Sequence, residues 1–445
     1  MEWGPYEFSV DPHRLNRMVD HRAKNPIQHG GNQASIRARL QLGNRPLVDF
    51  SAPLNALGPP AVALEAVRTS TETIDRYPEP NPPRLVERLA DFHKVPADQI
   101  LVGAGTSELI NMIGQWVREQ SLLRRRRSFN IPKPPAAYLV EPSYGEYRRT
   151  SALNGLRTKV MEEHILGWGQ ESFPEGKRGI FWTGHPNNPT GRAWDRTRLL
   201  NLIDRAPKLT TIVDEAYLPF LPDEQERTLV GATSTRDNLI VLRSMTKIYA
   251  FPGLRVGYAI ASPDIIAMLR RIQQPWSVTT AAEVAAIAAI DDPDYLKQTI
   301  ELIGRESARL TDKLWTVQGL RPLWPGRVRP SFAPPMANFV MASLVDTPWT
   351  SPQLQDELAL RGIFVRECSN YRGLEIGSVV TGPGQEHHTR GHIRFTVRNP
   401  AENDQLVETL REVMATEPPM LRGREEIPAS TRFRRWRLRA RMQRS

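Results

Sequence analysis

The sequence of 445 residues is long enough for two or three domains with large cores, and 40% of its residues are hydrophobic. It contains no uninterrupted apolar run of membrane-spanning length, and its acidic N-terminus lacks the apolar segment of a secretory signal. A single cysteine, Cys368, excludes an internal disulfide framework and favours a reducing, cytoplasmic location.

The net charge of +10 is distributed unevenly along the chain. Residues Leu421–Ser445 contain nine Arg and two Glu, a contribution of +7, so only +3 remains for the rest. This tail could contact RNA, DNA or an anionic membrane, but we expect a disordered, solvated terminus. A second basic run, Arg124–Arg127, is predicted to be a solvated loop. The basic pI therefore does not by itself indicate a nucleic-acid-binding protein.

The first part of the chain carries few strong secondary-structure signals. Met1–Gln28 is predicted to be an extension with little core of its own, and His29–Asn32 is too rich in glycine for a helix interior. Leu47–Phe50 is predicted to form a short strand, and the loop Ser51–Pro60 follows it. Apolar side chains at helical spacing predict a helix over Pro83–His93.

Strands and helices then alternate along the chain. The predicted strands are Ile100–Val102, Ala137–Val140, Gly179–Thr183, Thr210–Val213 and Leu239–Leu242. Helices are predicted over Leu109–Val117 and Leu199–Ile203. This alternation favours a mainly parallel sheet with helices on both of its faces.

The C-terminal part has a different order of predicted strands and helices. Asp292 begins a helix of about five turns, after another helix start at Ser262. The later predicted elements are strands at Asn338–Met341, Phe364–Val365 and His392–Val397 and helices at Ser351–Arg361 and Glu402–Met414. We predict an extension over 1–28, an N-terminal arm and part of a small domain over 29–75, a large domain over 76–325, a small α+β domain over 326–416 and a basic tail over 417–445.

The stretch Asn238–Tyr258 contains three reactive or charged groups just after a predicted buried strand. Ser244 and Arg255 suit a phosphate, and the amine of Lys247 suits a carbonyl. This combination predicts pyridoxal phosphate (PLP), held by a Schiff base to Lys247. The alternative is a solvated Lys and Arg after an ordinary strand.

Other predicted strands of the large domain also end in groups that suit PLP. Asp214 could pair with a protonated pyridine nitrogen, because a buried carboxylate needs a cationic partner. Tyr217 and Asn188 could donate hydrogen bonds to the phenolate oxygen, and Tyr144 could stack on the ring. Each group alone also fits a structural role, but their succession at consecutive strand ends favours a cofactor site.

A phosphate site is predicted where a helix follows two glycines. Thr106 and Ser107 open this helix, and its first N–H groups and dipole suit an anion. Ser244 and Arg255 would complete the site. We predict no metal ligands.

These motifs occur in the order GAGTSE, EPSYGEY, HPNNPTG, DEAY, SMTK, GLRVGY and HIRFTVR. The order resembles that of the fold-type-I PLP enzymes, close to histidinol-phosphate aminotransferase, over Asp49–Met414. The resemblance implies an α/β large domain, with a mainly parallel seven-stranded sheet flanked by helices, and a smaller α+β C-terminal domain. It also implies a homodimer with shared active sites, in which Tyr77 reaches the partner's cofactor phosphate.

A narrower resemblance is to the L-threonine-O-3-phosphate decarboxylases of cobalamin biosynthesis. It is carried by the motifs HGGN, DFSA, RYP, QQPWSV and RECSNYRGL. It implies that His29 and Arg366 bind the phosphate of a small phosphorylated amino acid, that Arg394 binds its carboxylate, and that Asn55 contributes to substrate binding. Two anionic groups need separate cationic anchors, which agrees with this assignment. The alternatives are a structural loop histidine at His29 and surface ion pairs at the two arginines.

Two departures from that family lie near the substrate. Pro53 stands where the family has a substrate-contacting asparagine, and Ala56 replaces a proline. Ile376–Gly391 is longer than the usual connection and is predicted to be an exposed loop.

The resemblance implies decarboxylation of L-threonine O-3-phosphate to (R)-1-amino-2-propanol phosphate. The alternative is an aminotransferase of the histidinol-phosphate type, because the same residues serve both reactions. A ligand-sensing regulator with a nucleic-acid-binding tail is a third hypothesis, weakened because only 28 residues precede His29.

Overall fold

The computed structural model describes residues 29–126, 134–162, 173–323, 337–377, 379–382 and 385–419. The predicted N-terminal extension and nearly all of the basic tail lie outside these residues. Among the helices that are described, none has the length and apolar character needed to span a bilayer.

The described residues form helices and strands that we number in chain order. The helices are α1 (Gln33–Leu40), α2 (Ala61–Ser70), α3 (Pro83–His93), α4 (Thr106–Arg126), α5 (Gly145–Leu153), α6 (Arg196–Arg205), α7 (Glu224–Arg227), α8 (Met245–Ile248), α9 (Pro263–Arg270), α10 (Thr280–Ile290), α11 (Pro293–Trp315), α12 (Ser351–Leu360) and α13 (Pro400–Met414). The strands are β1 (Val48–Asp49), β2 (Ile100–Gly103), β3 (Ala136–Glu141), β4 (Arg157–Glu162), β5 (Gly179–Gly184), β6 (Leu209–Asp214), β7 (Leu239–Ser244), β8 (Gly257–Ala261), β9 (Leu320–Leu323), β10 (Phe339–Leu344), β11 (Ile363–Phe364), β12 (Arg366–Glu367), β13 (Val379–Gly382), β14 (Gln385–His388) and β15 (His392–Thr396).

The large sheet has seven strands in the order β2-β8-β7-β6-β5-β3-β4. Its strands run parallel except β8, which is antiparallel to both of its neighbours. Every residue of β7 is buried, as expected for a strand covered by helices on both faces. The prediction of a mainly parallel seven-stranded sheet with flanking helices is therefore confirmed.

The carboxyl ends of β2, β3, β5, β6 and β7 all lie at one edge of this sheet, because these strands run in the same direction. The chain leaves this edge into the segments that carry the predicted cofactor residues. Open α/β sheets bind their ligands at such an edge.

A smaller antiparallel sheet has the order β12-β15-β10-β9. Strand β9 pairs with β10, so the smaller unit begins before the predicted boundary at residue 325. Strand β1 pairs in parallel with β11, which brings the N-terminal arm to this unit.

Two elements lacked a recognisable sequence pattern. Strand β4 is an edge strand in which polar residues predominate. Helix α10, TAAEVAAIAAI, is apolar around most of its circumference and packs against α2 and α3, so it has no amphipathic period.

The prediction of a simple exposed loop over Ile376–Gly391 was wrong. Within it, β13 and β14 pair as an antiparallel hairpin, with Val379 opposite His388 and Gly382 opposite Gln385. The Gly and His content suggested a loop, but backbone pairing between short strands does not require a strong apolar pattern.

Candidate active site

A cavity at the carboxyl edge of the large sheet brings most of the predicted site residues together. The predicted residues that line it are His29, Thr106, Ser107, Tyr144, Asn188, Asp214, Tyr217, Ser244, Lys247 and Arg255. It is also lined by residues that the sequence did not single out, among them Tyr147, Thr246 and Tyr371. Asn55, Tyr77, Arg366 and Arg394 are not among its lining residues.

Lys247 lies in the short helix α8, directly after β7. Burial and the positive charges of Arg394 and Arg255 lower the pKa of Lys247 to about 8, with a smaller opposing effect from Asp214. Its amine is therefore neutral at a lower pH than that of an ordinary lysine. A neutral amine is the nucleophilic form, so this environment suits covalent attachment to an aldehyde.

Asp214 is the last residue of β6 and accepts two hydrogen bonds. Tyr147 donates from its hydroxyl to Oδ2 over 2.7 Å, and the Ala216 amide donates to Oδ1 over 3.0 Å. Burial raises the pKa of Asp214, while both hydrogen bonds and the charge of Lys247 oppose that rise. A cationic ring nitrogen would supply the charge partner that this carboxylate needs.

Tyr147 was missed from the sequence, although a signal was present. It lies three residues after Tyr144, the N-cap residue of α5, and the two rings meet edge to face with their centroids 5.6 Å apart. Its ring stacks on Trp182 with centroids 5.2 Å apart and planes within 6° of parallel.

The residues of a phosphate cradle converge at the start of α4. Gly105 has a φ of +77°, and a Cβ there would lie 2.5 Å from Nη2 of Arg255. A Cβ at Gly257 would lie 3.0 Å from the Thr106 amide nitrogen. These glycines leave room for Arg255 to approach the first N–H groups of the helix, which have no partners within the helix. The arrangement suits a phosphate.

Hydroxyl groups complete this cradle. Ser244 and Thr246 lie 2.8 Å apart, oxygen to oxygen, and both line the cavity. The donor set of backbone N–H groups, hydroxyls and a guanidinium fits the phosphate of PLP, while Lys247 and Asp214 fit its aldehyde and ring nitrogen.

The walls around the expected ring position hold neutral hydrogen-bond donors. Burial raises the pKa of Tyr144 to about 12, and a hydrogen bond with Ser107 partly opposes that rise. Burial also raises the pKa of Tyr217, whose ring packs edge-on against Phe339 at 5.1 Å. Asn188 accepts a hydrogen bond from Arg394 at Oδ1, so its Nδ2 is the group that can donate to a ring oxygen. The individual cofactor contacts remain predictions.

Arg394 donates a hydrogen bond to Asn188, which lines the cavity. Arg394 is only 2% exposed, and its Nη2 donates to the Ser51 carbonyl over 2.8 Å. Within the described part of the chain its Nε has no hydrogen-bond partner. A buried guanidinium with an unsatisfied donor is costly, which suggests that an anion normally completes this site.

Arg366 lies directly opposite Arg394 in the pairing of β12 with β15, and it is 4% exposed. Its Nη1 donates to the Glu367 carbonyl, and its Nη2 donates to Asn370 Oδ1 over 2.8 Å. The ring of Tyr371 lies 5.0 Å from its Cζ. Tyr371 lines the cavity, so Arg366 lies directly beside a residue of the cavity wall.

His29 reaches the cavity from the N-terminal arm. Its Nε2 lies 3.0 Å from Oε1 of Glu146. The Gly31 amide donates to Ser51 Oγ over 2.7 Å, and a Cβ at Gly30 would lie 2.1 Å from the Ser51 carbonyl oxygen. Close packing of this glycine pair on Ser51 therefore holds His29 at the site.

The structure gives Asn55 a structural role and does not place it on the cavity. Its Nδ2 donates to the Ile248 carbonyl over 2.8 Å and to Thr299 Oγ1 over 2.7 Å. Both amide hydrogens are thereby used within the chain, and the predicted contact between Asn55 and the substrate stays a prediction. The contact instead fastens the segment that carries Lys247.

Tyr77 also lies away from the cavity of its own chain. It is 81% exposed and packs against Trp276, with ring centroids 4.8 Å apart. The predicted contact with a partner's cofactor phosphate requires a second subunit and stays a prediction.

Comparisons with known proteins identify the family of this chain. Residues 45–410 match the family described as aminotransferase class I and II. The chain is 31% identical to threonine-phosphate decarboxylase from Salmonella typhimurium, over 87% of this chain and 96% of that protein. It is 29% identical to histidinol-phosphate aminotransferase from Symbiobacterium thermophilum, over 83% and 91% of the two chains.

A solved structure has the same fold. It is histidinol-phosphate aminotransferase from Sinorhizobium meliloti in complex with pyridoxal-5'-phosphate, with a TM-score of 0.69 at 21% identity, covering 89% of this chain and 97% of that one. The chain therefore belongs to the aminotransferase class I and II family of fold-type-I, PLP-dependent enzymes.

Proposed function

We propose that this enzyme decarboxylates L-threonine O-3-phosphate to (R)-1-amino-2-propanol phosphate, a step of cobalamin biosynthesis. The observation that carries the proposal is the buried pair Arg366 and Arg394, side by side next to the cavity. The similarity to the Salmonella typhimurium decarboxylase supports it.

The arginine pair favours a substrate with two anionic groups. Residues directly opposite each other on antiparallel strands project from the same face of the sheet, and like charges there are unfavourable. Burial adds a desolvation cost. A substrate phosphate at Arg366 and a substrate carboxylate at Arg394 would offset both costs, and L-threonine O-3-phosphate carries both groups.

Other residues would hold the cofactor. Thr106, Ser107, Ser244 and Arg255 would bind its phosphate, and Asp214 would keep a proton on its ring nitrogen. When bound, PLP supplies an electron sink for negative charge at the substrate Cα. Lys247 would deliver a proton to Cα after carbon dioxide has left.

Orientation of the substrate decides the reaction. Bound PLP would weaken whichever bond at Cα its electron sink can stabilise. Arg394 would hold the carboxylate as the group to be lost, and His29 and Arg366 would fix the other end of the molecule. If the Cα–H bond took that place instead, Lys247 would remove that proton and the enzyme would be an aminotransferase. The similarity to a histidinol-phosphate aminotransferase makes this the second candidate.

Product analysis of the PLP-loaded enzyme with O-phospho-L-threonine separates the two candidates. The proposal predicts release of carbon dioxide without any keto acid in the reaction. Dependence on 2-oxoglutarate, with a keto acid as product, would establish the aminotransferase instead. Lys247→Ala provides the inactive control.

We further propose a cytoplasmic homodimer in which Tyr77 reaches the cofactor phosphate of the partner subunit. Mixing Tyr77→Phe with Lys247→Ala chains tests this arrangement. If sites are shared, each mixed dimer has one site with Lys247 and a wild-type Tyr77, so activity should exceed that of either variant alone.

Truncation after Pro419 should leave catalysis intact if the basic tail is a solvated appendage.

A further inference from the structure

Tyr371 lies beside both the cavity and Arg366. It lines the cavity, and its ring lies 5.0 Å from the Arg366 Cζ. Its hydroxyl lies 3.5 Å from Asn188 Oδ1, on the cavity wall. One side chain therefore contacts both the proposed phosphate anchor and the cofactor side of the site.

The position of Tyr371 is fixed by its surroundings. Its amide donates to the Cys368 carbonyl over 3.0 Å, and its own carbonyl accepts from the Leu374 amide over 3.1 Å. The ring packs against the small apolar cluster of Met341, Cys368 and Leu374. A side chain seated in this way is preorganised, so it can set the geometry of a ligand at little entropic cost.

The hydroxyl of Tyr371 has a weak acceptor in this structure. A separation of 3.5 Å is long for a hydrogen bond between a hydroxyl and an oxygen. Asn188 Oδ1 already accepts from Arg394. A phosphate oxygen in the cavity would be a stronger acceptor, because hydrogen bonds to anionic oxygens are shorter and stronger than neutral ones.

We propose that Tyr371 determines specificity for a phosphorylated substrate. Its side chain holds the guanidinium of Arg366 in place, through the ring and through a hydrogen bond that the hydroxyl accepts. The same hydroxyl donates its own hydrogen to the substrate phosphoryl group. This inference rests on the proposed function only in requiring a substrate phosphate. It applies equally to decarboxylation and to transamination.

The geometry explains why such a residue would select the phosphate. A phosphoryl group has three acceptor oxygens, and a guanidinium can satisfy two of them. The Tyr371 hydroxyl would satisfy the third. An unphosphorylated hydroxyl group offers no anion to either residue, so loss of the tyrosine hydroxyl should not affect its binding.

Binding of the expected product and its unphosphorylated form tests the proposal without turnover. The ligands are 1-amino-2-propanol phosphate and 1-amino-2-propanol, titrated calorimetrically into the PLP-loaded enzyme. Tyr371→Phe should raise the Kd of the phosphate about tenfold or more and leave that of the free alcohol unchanged. Tyr371→Leu, which also removes the ring beside Arg366, should have a larger effect on the phosphate.

Kinetics and a matched control complete the test. Tyr371→Phe should raise the KM of O-phospho-L-threonine by a similar factor and change kcat less than twofold. Tyr138→Phe makes the same chemical change on β3, away from the cavity, and should alter neither ligand's binding. Equal weakening of both ligands, or no change for Tyr371→Phe, would overturn the proposal.

Failure of the proposed function gives a different signature. It would appear as a keto-acid product, whatever the ratio of the two Kd values. In that case histidinol phosphate and histidinol become the ligand pair, and the same selective loss is expected for Tyr371→Phe. Absence of a selective loss with both pairs would reject the role of Tyr371 alone.

Discussion

Tyr147 donates its hydroxyl hydrogen to Oδ2 of Asp214 over 2.7 Å, at the buried wall of the cavity. This contact stabilises a buried carboxylate whose second oxygen is held by the Ala216 amide. Asp214 therefore has a neutral partner from its own chain in addition to the cationic ring nitrogen expected from the cofactor.

Tyr147→Phe should destabilise the cofactor-free protein more than the loaded one. Removing a donor from a buried charged group costs about 1.5–3 kcal/mol, and a bound pyridinium would recover part of that loss. Thermal unfolding of both forms measures the difference. Tyr138→Phe is the control for loss of a phenol elsewhere in the sheet. Equal destabilisation of the two forms would contradict this account of Asp214.

The pH dependence of cofactor attachment should reflect the lowered pKa of Lys247. The neutral amine is the reactive form, and a pKa of about 8 means that it predominates above pH 8. The rate at which the cofactor-free enzyme gains visible absorbance with PLP should rise with pH and level off above about 8. A rate that keeps rising to pH 10 would indicate an ordinary lysine. Lys247→Ala should give no such absorbance.

Arg394→Gln should also move this profile. Because the positive charge of Arg394 helps to lower the pKa of Lys247, its removal should shift the plateau to higher pH. Arg361→Gln, at a surface ion pair with Glu357, should leave the profile unchanged.

The two buried arginines should respond differently to substrate and product. Arg394→Gln should raise the KM of O-phospho-L-threonine by about 10- to 100-fold, as expected for one lost charge-assisted contact. It should barely change inhibition by the product, which lacks a carboxylate. Arg366→Gln should weaken both. If each variant affected substrate and product alike, the assignment of separate anions to the two arginines would be wrong.

Asn55→Ala should lower stability without changing substrate selectivity. It removes the bond to Thr299 and the shorter of two side-chain donations to the Ile248 carbonyl, which keeps only the Tyr295 hydroxyl at 3.3 Å. The cost should be about 1–3 kcal/mol. The melting temperature should fall, and the preference for a phosphorylated over an unphosphorylated ligand should stay the same. A selective loss of phosphate binding would restore the role predicted from the sequence.

Much of the cofactor site could be predicted from the sequence because each of its residues follows a strand. Asp214 ends β6, Ser244 ends β7, and Lys247 follows three residues later. The apolar pattern of a buried strand is clear, and parallel strands bring their carboxyl ends together. Chain order and strand type were therefore sufficient to assemble this part of the site.

The substrate side could not be assembled in this way. Asn55 occupies a loop whose composition does not distinguish a ligand contact from a bond to the Ile248 carbonyl. Tyr371 lies beside Arg366, and its hydroxyl reaches Asn188, which is 183 residues earlier in the chain. Both depend on contacts between residues far apart in the chain, which local patterns do not encode.

Ser51 contacts two distant parts of the chain. Its hydroxyl oxygen accepts a hydrogen bond from the Gly31 amide, and its carbonyl oxygen accepts one from Nη2 of Arg394. The arm that delivers His29 and the strand that delivers Arg394 thus share one residue as their common support. A chain shortened past Gly31 would lose His29 and also the Gly31 amide that holds Ser51 in place. Arg394 donates to the Ser51 carbonyl, so the position of its guanidinium would be less well fixed. Phosphate and carboxylate recognition would then decline together, although His29 and Arg394 are more than 300 residues apart in the sequence.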